Sequence, residues 1–93
     1  MAKKRPTKAE REYMSKVAEL GCFICHAPAE IHHKTGAGMG LKSSNYDVIP
    51  LCPNHHRGNE GIHQIGKITW EEMFGTQEGM IKRIRSILDE SMW

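Results

Sequence analysis

Four of the six histidines in this chain occur as two adjacent pairs, His32-His33 and His55-His56. Imidazole is the commonest metal ligand in proteins, and an ordinary pKa of about 6.5 lets the same group accept a proton near neutral pH. Three cysteines accompany the pairs. An odd number cannot form a complete set of intramolecular disulfides, and clustered thiols in a reducing compartment more often bind metal. The sequence therefore predicts metal chemistry.

The cysteines predict a structural zinc site. Cys22 and Cys25 form a C-x2-C pair, which is the usual half of a zinc knuckle because a tight turn lets both thiolates face one ion. Cys52 and His55 have the matching spacing and complete a tetrahedral set, with His26 as the competing fourth ligand. Structural zinc contributes about 10–16 kcal/mol in small modules, so we expect the zinc-free protein to be poorly folded.

Apart from His26, four histidines remain after that zinc site is filled. Neighbouring side chains on a helix diverge by about 100°, so His55 can face the zinc while His56 faces the opposite side, towards His32 and His33. Together with His63 these residues predict a second metal centre. Phosphodiester hydrolysis needs such an ion with an open position and a base that is not bound to it. The alternative is that the four histidines only form hydrogen bonds or bind zinc adventitiously.

The strand geometry sets a condition on this second centre. Adjacent side chains in a regular strand point to opposite faces. His32 and His33 can therefore serve one site only if the strand ends or twists there, and the glycines that follow make an irregular ending plausible.

Local signals place these residues on a hairpin flanked by helices. Thr7 and Glu10 form an S/T-x-x-E capping box, which predicts a helix that ends at Gly21. Residues 30–33 and 47–51 are predicted to be strands. Pro50 limits the second strand to the edge or the end of a sheet.

Further helices are predicted in the second half of the chain. Pro53 begins a helical turn, whereas residues 57–63 are too rich in glycine to predict a helix. Thr69 forms a second capping box, predicting a short helix that ends at Gly75, and Thr76 is predicted to cap the last helix. The apolar stripe of that last helix consists of Met80, Ile81, Ile84, Ile87 and Leu88.

The whole pattern resembles the HNH endonucleases, also called the ββα-metal or His-Me finger superfamily. The matching segments are Glu30-Ile31-His32-His33, a glycine-rich loop, Asp47-Val48-Ile49-Pro50-Leu51-Cys52 and Asn54-His55-His56. Within that superfamily the chain most resembles the phage-type recombination enhancement function (Ref) nucleases. That closer likeness rests on His32-His33-Lys34-Thr35-Gly36, Met39-Gly40-Leu41-Lys42-Ser43-Ser44 and Ile49-Pro50-Leu51-Cys52. It covers roughly residues 20–75.

The resemblance implies an α+β fold, a small ββα-metal finger with a structural zinc knuckle and flanking helices. We expect one domain over residues 1–93. Within it, residues 1–20 form a basic arm and a helix, residues 21–66 the zinc knuckle and the ββα-metal core, and residues 67–93 the C-terminal helices.

The resemblance also implies roles for the histidines. His33 is the general base that activates water, and His32 and His56 bind the catalytic metal. His63 is the third ligand, although the six residues between it and His56 are more than the family usually has. The implied catalytic ion is Mg²⁺ or Mn²⁺, and histidine ligation also accepts Ni²⁺ or Zn²⁺.

A further position in the family, often Asn, holds the base histidine by a hydrogen bond. It maps to Asp47, which can accept a hydrogen bond from the imidazole but cannot donate one as Asn can. Asn45 is the alternative.

The charge pattern points weakly to DNA. The net charge is only +2, but basic residues crowd the first sixteen positions, where they either contact nucleic acid or belong to a solvated terminus. The residues predicted to contact DNA are Lys3, Lys4, Arg5, Lys34, Lys42 and Arg57.

We expect a metal-dependent DNA endonuclease, phage-encoded and linked to recombination, with a RecA-type filament as a partner implied by the resemblance. The alternatives are a non-catalytic zinc module that binds nucleic acid and a metal-dependent RNase. Because no stretch is apolar enough to span a membrane and no signal sequence is evident, the predicted location is the cytosol of a phage host or bacterium.

Overall fold

The structure, a computed structural model, describes residues 5–35 and 44–91. The fold is α+β, with a small two-stranded sheet and flanking helices. The strands are β1 (Glu30–His33) and β2 (Val48–Leu51). The helices are α1 (Lys8–Glu19), α2 (Pro53–Arg57), α3 (Ile62–Ile65), α4 (Lys67–Phe74) and α5 (Gln77–Ser91). Most of the predicted glycine-rich loop lies outside the described residues. Every helix in the described part of the chain is too short or too polar to cross a membrane.

The first helix begins as its capping box predicts. The Glu10 amide donates to Thr7 Oγ1 at 3.1 Å, and the Thr7 amide donates to Glu10 Oε1 at 2.7 Å. The helix ends before Gly21, whose φ of 81° reverses the chain. A Cβ at Gly21 would lie 2.8 Å from the carbonyl oxygen of His26. Glycine is therefore required where the chain enters the turn over residues 22–26, the cysteine turn.

The strands pair in antiparallel register, with Glu30 opposite Leu51 and His33 opposite Val48. All four residues of β2 are buried, because both α1 and α5 pack against this strand. Pro50 fits in β2 because a two-stranded sheet leaves one side of each strand unpaired. Its carbonyl oxygen accepts a hydrogen bond from the Phe23 amide at 2.8 Å, which ties the cysteine turn to the sheet.

The last helix packs mainly through its predicted stripe. Met80, Ile81, Ile84 and Leu88 are buried with Trp70 and Val17 in the core that surrounds β2. Ile87 lies at one edge of the stripe and is 38% exposed. Thr76 does cap this helix, since its Oγ1 accepts from the Gly79 amide at 3.1 Å.

The middle of the chain has one helix that the sequence does not predict and one prediction that is wrong. Residues 62–65, which include part of the glycine-rich segment, form the single-turn helix α3. The capping box at Thr69 does not start α4, because Gly66 begins that helix and its carbonyl accepts from the Trp70 amide at 3.0 Å. Gly66 has a φ of 92°, which lets one residue end α3 and start α4.

Candidate metal centres

One cluster of metal-ligating groups, the thiol cluster, contains Cys22, Cys25, Cys52 and His55, whose ligand atoms all lie within 4.8 Å of one another. Cys25 Sγ is 3.7 Å from Cys52 Sγ, and His55 Nδ1 is 3.2 Å from Cys52 Sγ and 3.7 Å from Cys22 Sγ. Ligands bound to tetrahedral zinc at about 2.0–2.3 Å are separated by roughly 3.3–3.8 Å. The thiol cluster therefore has the donor set and spacing to hold a zinc ion.

Local structure presents these four ligands from two turns. The carbonyl oxygen of Cys22 accepts from the His26 amide at 2.8 Å, which closes the C-x2-C turn. Cys52 is the residue that precedes α2, and His55 lies on that helix. Burial raises the pKa of the Cys22 thiol, but hydrogen bonds from backbone amides, including that of Cys52, outweigh it and lower the pKa to about 7. The thiolate, which is the metal-binding form, is thereby favoured.

The competing ligand His26 is not in the thiol cluster. His26 has a φ of 66° and is the only described residue other than glycine with a positive φ. This left-handed conformation ends the cysteine turn and leaves the imidazole exposed to solvent. The predicted set with His55 therefore has the better geometry.

A second cluster, the histidine triad, contains His32, His56 and His63, with ligand atoms again within 4.8 Å of one another. His56 Nε2 and His63 Nε2 are 3.1 Å apart. Two imidazoles that share an ion at about 2.0–2.1 Å are separated by roughly 3.0–3.4 Å. The three rings lie in mutual contact, with centroids 4.7 to 5.1 Å apart. The three histidines predicted to bind a second ion therefore lie together.

A close backbone contact brings His63 to His56 despite the long intervening segment. Residues 58–61 form a tight turn, in which the Gly61 amide donates to the Gly58 carbonyl at 2.9 Å. A Cβ at Gly61 would lie only 2.5 Å from the Arg57 amide nitrogen. Glycine is thus needed for α3 to return against α2 and place His63 beside His56.

Glu30 orients His56. Glu30 Oε1 accepts from His56 Nδ1 at 2.7 Å and from Arg57 Nε at 2.8 Å. Together these hydrogen bonds hold the pKa of the Glu30 carboxyl below its usual range, and the one from Arg57 has the larger effect. With Nδ1–H donating to a carboxylate, the lone pair of His56 is on Nε2, the nitrogen that lies 3.1 Å from His63. A carboxylate behind a ligating histidine is common at metal sites and strengthens the ligand.

His32 is the buried member of the triad, with 1% of its surface exposed. Burial lowers the pKa of His32 to about 4, and the nearby His56 and His63 act in the same direction. The ring is therefore neutral near pH 7, as a metal ligand must be. His32 Nε2 donates to Oε1 of Gln77, 2.9 Å away. Gln77 is fully buried at the start of α5.

His33, the predicted base, lies outside the triad. It is the last residue of β1 and is exposed, whereas His32 is buried. The strand therefore ends at the histidine pair, which is the condition for both residues to serve one site. His33 Nε2 donates to Asn45 Oδ1 at 2.8 Å. If that contact fixes the proton on Nε2, the other ring nitrogen, Nδ1, has a lone pair that can accept a proton.

The residue that holds His33 by a hydrogen bond is Asn45, which was the alternative candidate. The prediction that Asp47 orients the base is therefore wrong. Asp47 Oδ1 instead accepts from Arg85 Nη2 on α5 at 2.6 Å. A turn before β2 explains the difference. The Asp47 amide donates to the Ser44 carbonyl at 3.0 Å, so the chain is not extended between Asn45 and Asp47 and the two side chains have different neighbours.

Comparison with known proteins places the chain in a family but assigns no activity. A family model described as "Protein of unknown function (DUF968)" matches residues 1–92. The chain belongs to this family. It is 34% identical over 84 residues to "Uncharacterized protein YdfU" of Escherichia coli (strain K12). The match covers 86% of the chain but spans only 23% of the length of that curated relative.

The basic residues of this DUF968 chain that were predicted to contact DNA differ in their exposure and ion pairing. Arg5 is exposed. Lys34 Nζ lies 2.9 Å from Glu78 Oε1, and Arg57 is paired with Glu30, so both cations also have intramolecular roles. The others, Lys3, Lys4 and Lys42, lie outside the described residues.

The sequence reasoning missed two residues that contact the triad, Glu30 and Gln77. Glu30 had a local signal, because it lies two residues before His32 and therefore on the same face of β1. Gln77 had none, since 45 residues separate it from His32 and an isolated glutamine at a helix start suggests no such contact.

Proposed function

We propose that this chain is a metal-dependent DNA endonuclease of the HNH type. The observation that carries the proposal is the histidine triad, together with His33, which directly follows the triad member His32 at the end of β1 and lies outside both clusters. A structural zinc module needs only the thiol cluster. The histidine triad is additional to that cluster. Because its member His63 is exposed, an ion held there would be accessible to a substrate in solvent.

In the proposed reaction, His33 removes a proton from water at Nδ1 while Asn45 holds Nε2–H. The water oxygen forms a bond to phosphorus and the bond from phosphorus to the 3′ oxygen breaks. The leaving oxygen takes a proton from solvent, so the products carry a 5′ phosphate and a 3′ hydroxyl. A divalent ion held by the triad would stabilise the negative charge that develops on the phosphate and leaving oxygen.

The donor set narrows the choice of ion. Three neutral imidazoles suit transition metals such as Mn²⁺, Ni²⁺ and Zn²⁺, whereas Mg²⁺ prefers oxygen ligands. Mg²⁺ remains a predicted cofactor together with Mn²⁺, and we expect Mn²⁺ to support faster cleavage because of this preference. DNA as the substrate, a role in recombination and a RecA-type partner rest on the family resemblance alone.

The direct test incubates zinc-loaded protein with supercoiled plasmid and Mn²⁺ or Mg²⁺. We expect cleavage, and we expect His33→Ala to reduce its rate by about 10²–10⁴-fold, the usual contribution of a general base. His26→Asn is the matched control, because His26 is an exposed histidine outside both clusters and Asn tolerates its positive φ.

Three outcomes would contradict parts of the proposal. Equal cleavage by His33→Ala would exclude His33 as the base. Binding of DNA without cleavage by any divalent ion would favour the non-catalytic zinc module. Faster cleavage of RNA than of DNA, in a parallel assay with matched oligonucleotides, would favour the RNase.

A further inference from the structure

We propose that Gln77 is a positioning residue that fixes the tautomer of His32, so that His32 offers Nδ1 to the metal ion while His56 offers Nε2. The inference rests on the metal site within the proposed function. It adds a residue from outside the segment that resembles the nucleases, because Gln77 lies on the last helix.

The hydrogen bonds of Gln77 fix the direction of its own amide. Its Oε1 accepts from the Thr35 backbone amide at 3.0 Å, and its Nε2 donates to the Thr35 carbonyl at 3.3 Å and to Thr35 Oγ1 at 3.1 Å. A backbone N–H can only donate, so the oxygen of the Gln77 amide must face it. The flipped amide would place two donors against each other.

The direction of the amide then fixes the proton on His32. The same Oε1 lies 2.9 Å from His32 Nε2 and can only accept. In the neutral ring, Nε2 therefore has the proton and Nδ1 has the lone pair. Both side chains are at least 99% buried, so solvent cannot replace this hydrogen bond. A wrong tautomer would leave the Gln77 oxygen facing a second acceptor.

The backbone of Gln77 is fixed as firmly as its side chain. Its amide donates at 2.7 Å to Oε2 of Glu71 on α4, and Glu71 also pairs with Lys67 at 3.0 Å. This contact holds α5 against the end of α4. The two C-terminal helices therefore support His32, much as Glu30 supports His56 from within the hairpin.

The first measurement needs no variant. Long-range ¹H–¹⁵N NMR spectra of histidine-labelled protein, loaded with one equivalent of zinc, distinguish the two neutral tautomers of each ring. We expect His32 to have its proton on Nε2. A proton on Nδ1 of His32 would overturn the proposal whether or not the protein cleaves DNA.

Variants then test the effect on metal binding by calorimetric titration with Mn²⁺. Gln77→Met keeps the approximate size but removes the acceptor, and we expect Mn²⁺ affinity to fall about 10–100-fold, as is typical when the partner of a ligating histidine is lost. Gln77→Glu keeps an acceptor for His32 but loses the donor to the Thr35 carbonyl, so its Mn²⁺ affinity should lie between those of the parent protein and Gln77→Met, which a residue needed only for packing would not predict.

Thr35→Val is the matched control, since it removes the hydroxyl contact to Gln77 but keeps the backbone amide. Its Mn²⁺ affinity should match that of the parent protein. Retained affinity in Gln77→Met would overturn the proposal, provided that zinc content and circular dichroism are unchanged. Mn²⁺ binding with the expected tautomer but without DNA cleavage would reject the nuclease proposal and leave the role of Gln77 intact.

Discussion

The two clusters on either side of α2 differ in donors, number of ligands and support. In the thiol cluster, Cys25 is exposed and the other three ligands are buried, and the ligands themselves complete a set of four. The histidine triad has three ligands, one of them exposed, and depends on Glu30 and Gln77 to orient two of its rings. A set of four protein ligands closes a structural site, whereas three leave positions for water and substrate.

The adjacent residues His55 and His56 join the two clusters. His55 Nδ1 faces the thiols, while His56 Nε2 faces His63. Their divergence on one helical turn was predicted from helix geometry. Because α2 directly follows Cys52 of the thiol cluster, zinc binding there is expected to set the position of His56. The thiol cluster is therefore expected to form the scaffold that presents the histidine triad.

The largest expected effect comes from breaking the thiol cluster. Cys52→Ser removes a thiolate, and we expect it to lose zinc and most of its regular structure, because zinc supplies about 10–16 kcal/mol in modules of this kind. Metal analysis and circular dichroism measure both effects. His63→Ala is the matched variant and should keep the zinc and the fold. A folded, zinc-loaded Cys52→Ser protein would show that the thiol cluster is not structural.

A smaller effect, confined to the triad, is expected for Glu30→Gln. The change keeps the shape but removes the charge behind His56, so Mn²⁺ affinity should fall about 10–100-fold while the zinc content stays constant. Calorimetric titration measures the affinity. Glu12→Gln removes an exposed carboxylate that lies 3.9 Å from Lys8 Nζ and should change neither quantity. Loss of zinc from Glu30→Gln would mean that the two clusters do not bind their metal ions independently.

The smallest effect is expected at the first helix, away from both clusters. Thr7→Ala removes the capping oxygen of α1 and should lower the free energy of unfolding by about 1 kcal/mol. In a domain of this size that corresponds to a fall in Tm of about 4–8 °C. A thermal melt of zinc-loaded protein measures it, and zinc content and Mn²⁺ affinity should stay unchanged. Altered Mn²⁺ affinity would show that general stability controls the triad.

The sequence was sufficient to predict the structure where the signals are local. The capping box at Thr7, the C-x2-C pair and the matching Cys52–His55 spacing each depend on residues within one turn, and the structure has all three in place. The two strands were predicted from short runs and lie within one residue of their predicted bounds.

The failures came from contacts between distant segments. Whether Asn45 or Asp47 meets His33 depends on the turn before β2 and on Arg85 of α5, neither of which the local sequence defines. The contact of Gln77 with His32 appears only when α5 folds back over the sheet. Thr69 failed as a cap because Gly66, with its positive φ, already starts the helix.

The most direct test of two separate centres is a metal count on the adjacent variants His55→Ala and His56→Ala. Each protein is purified with zinc, analysed for bound zinc and then titrated with Mn²⁺. We predict that His56→Ala keeps one zinc and its fold but loses Mn²⁺ binding, and that His55→Ala loses zinc and fold together. Loss of zinc from both variants, or Mn²⁺ binding retained by His56→Ala, would contradict the account.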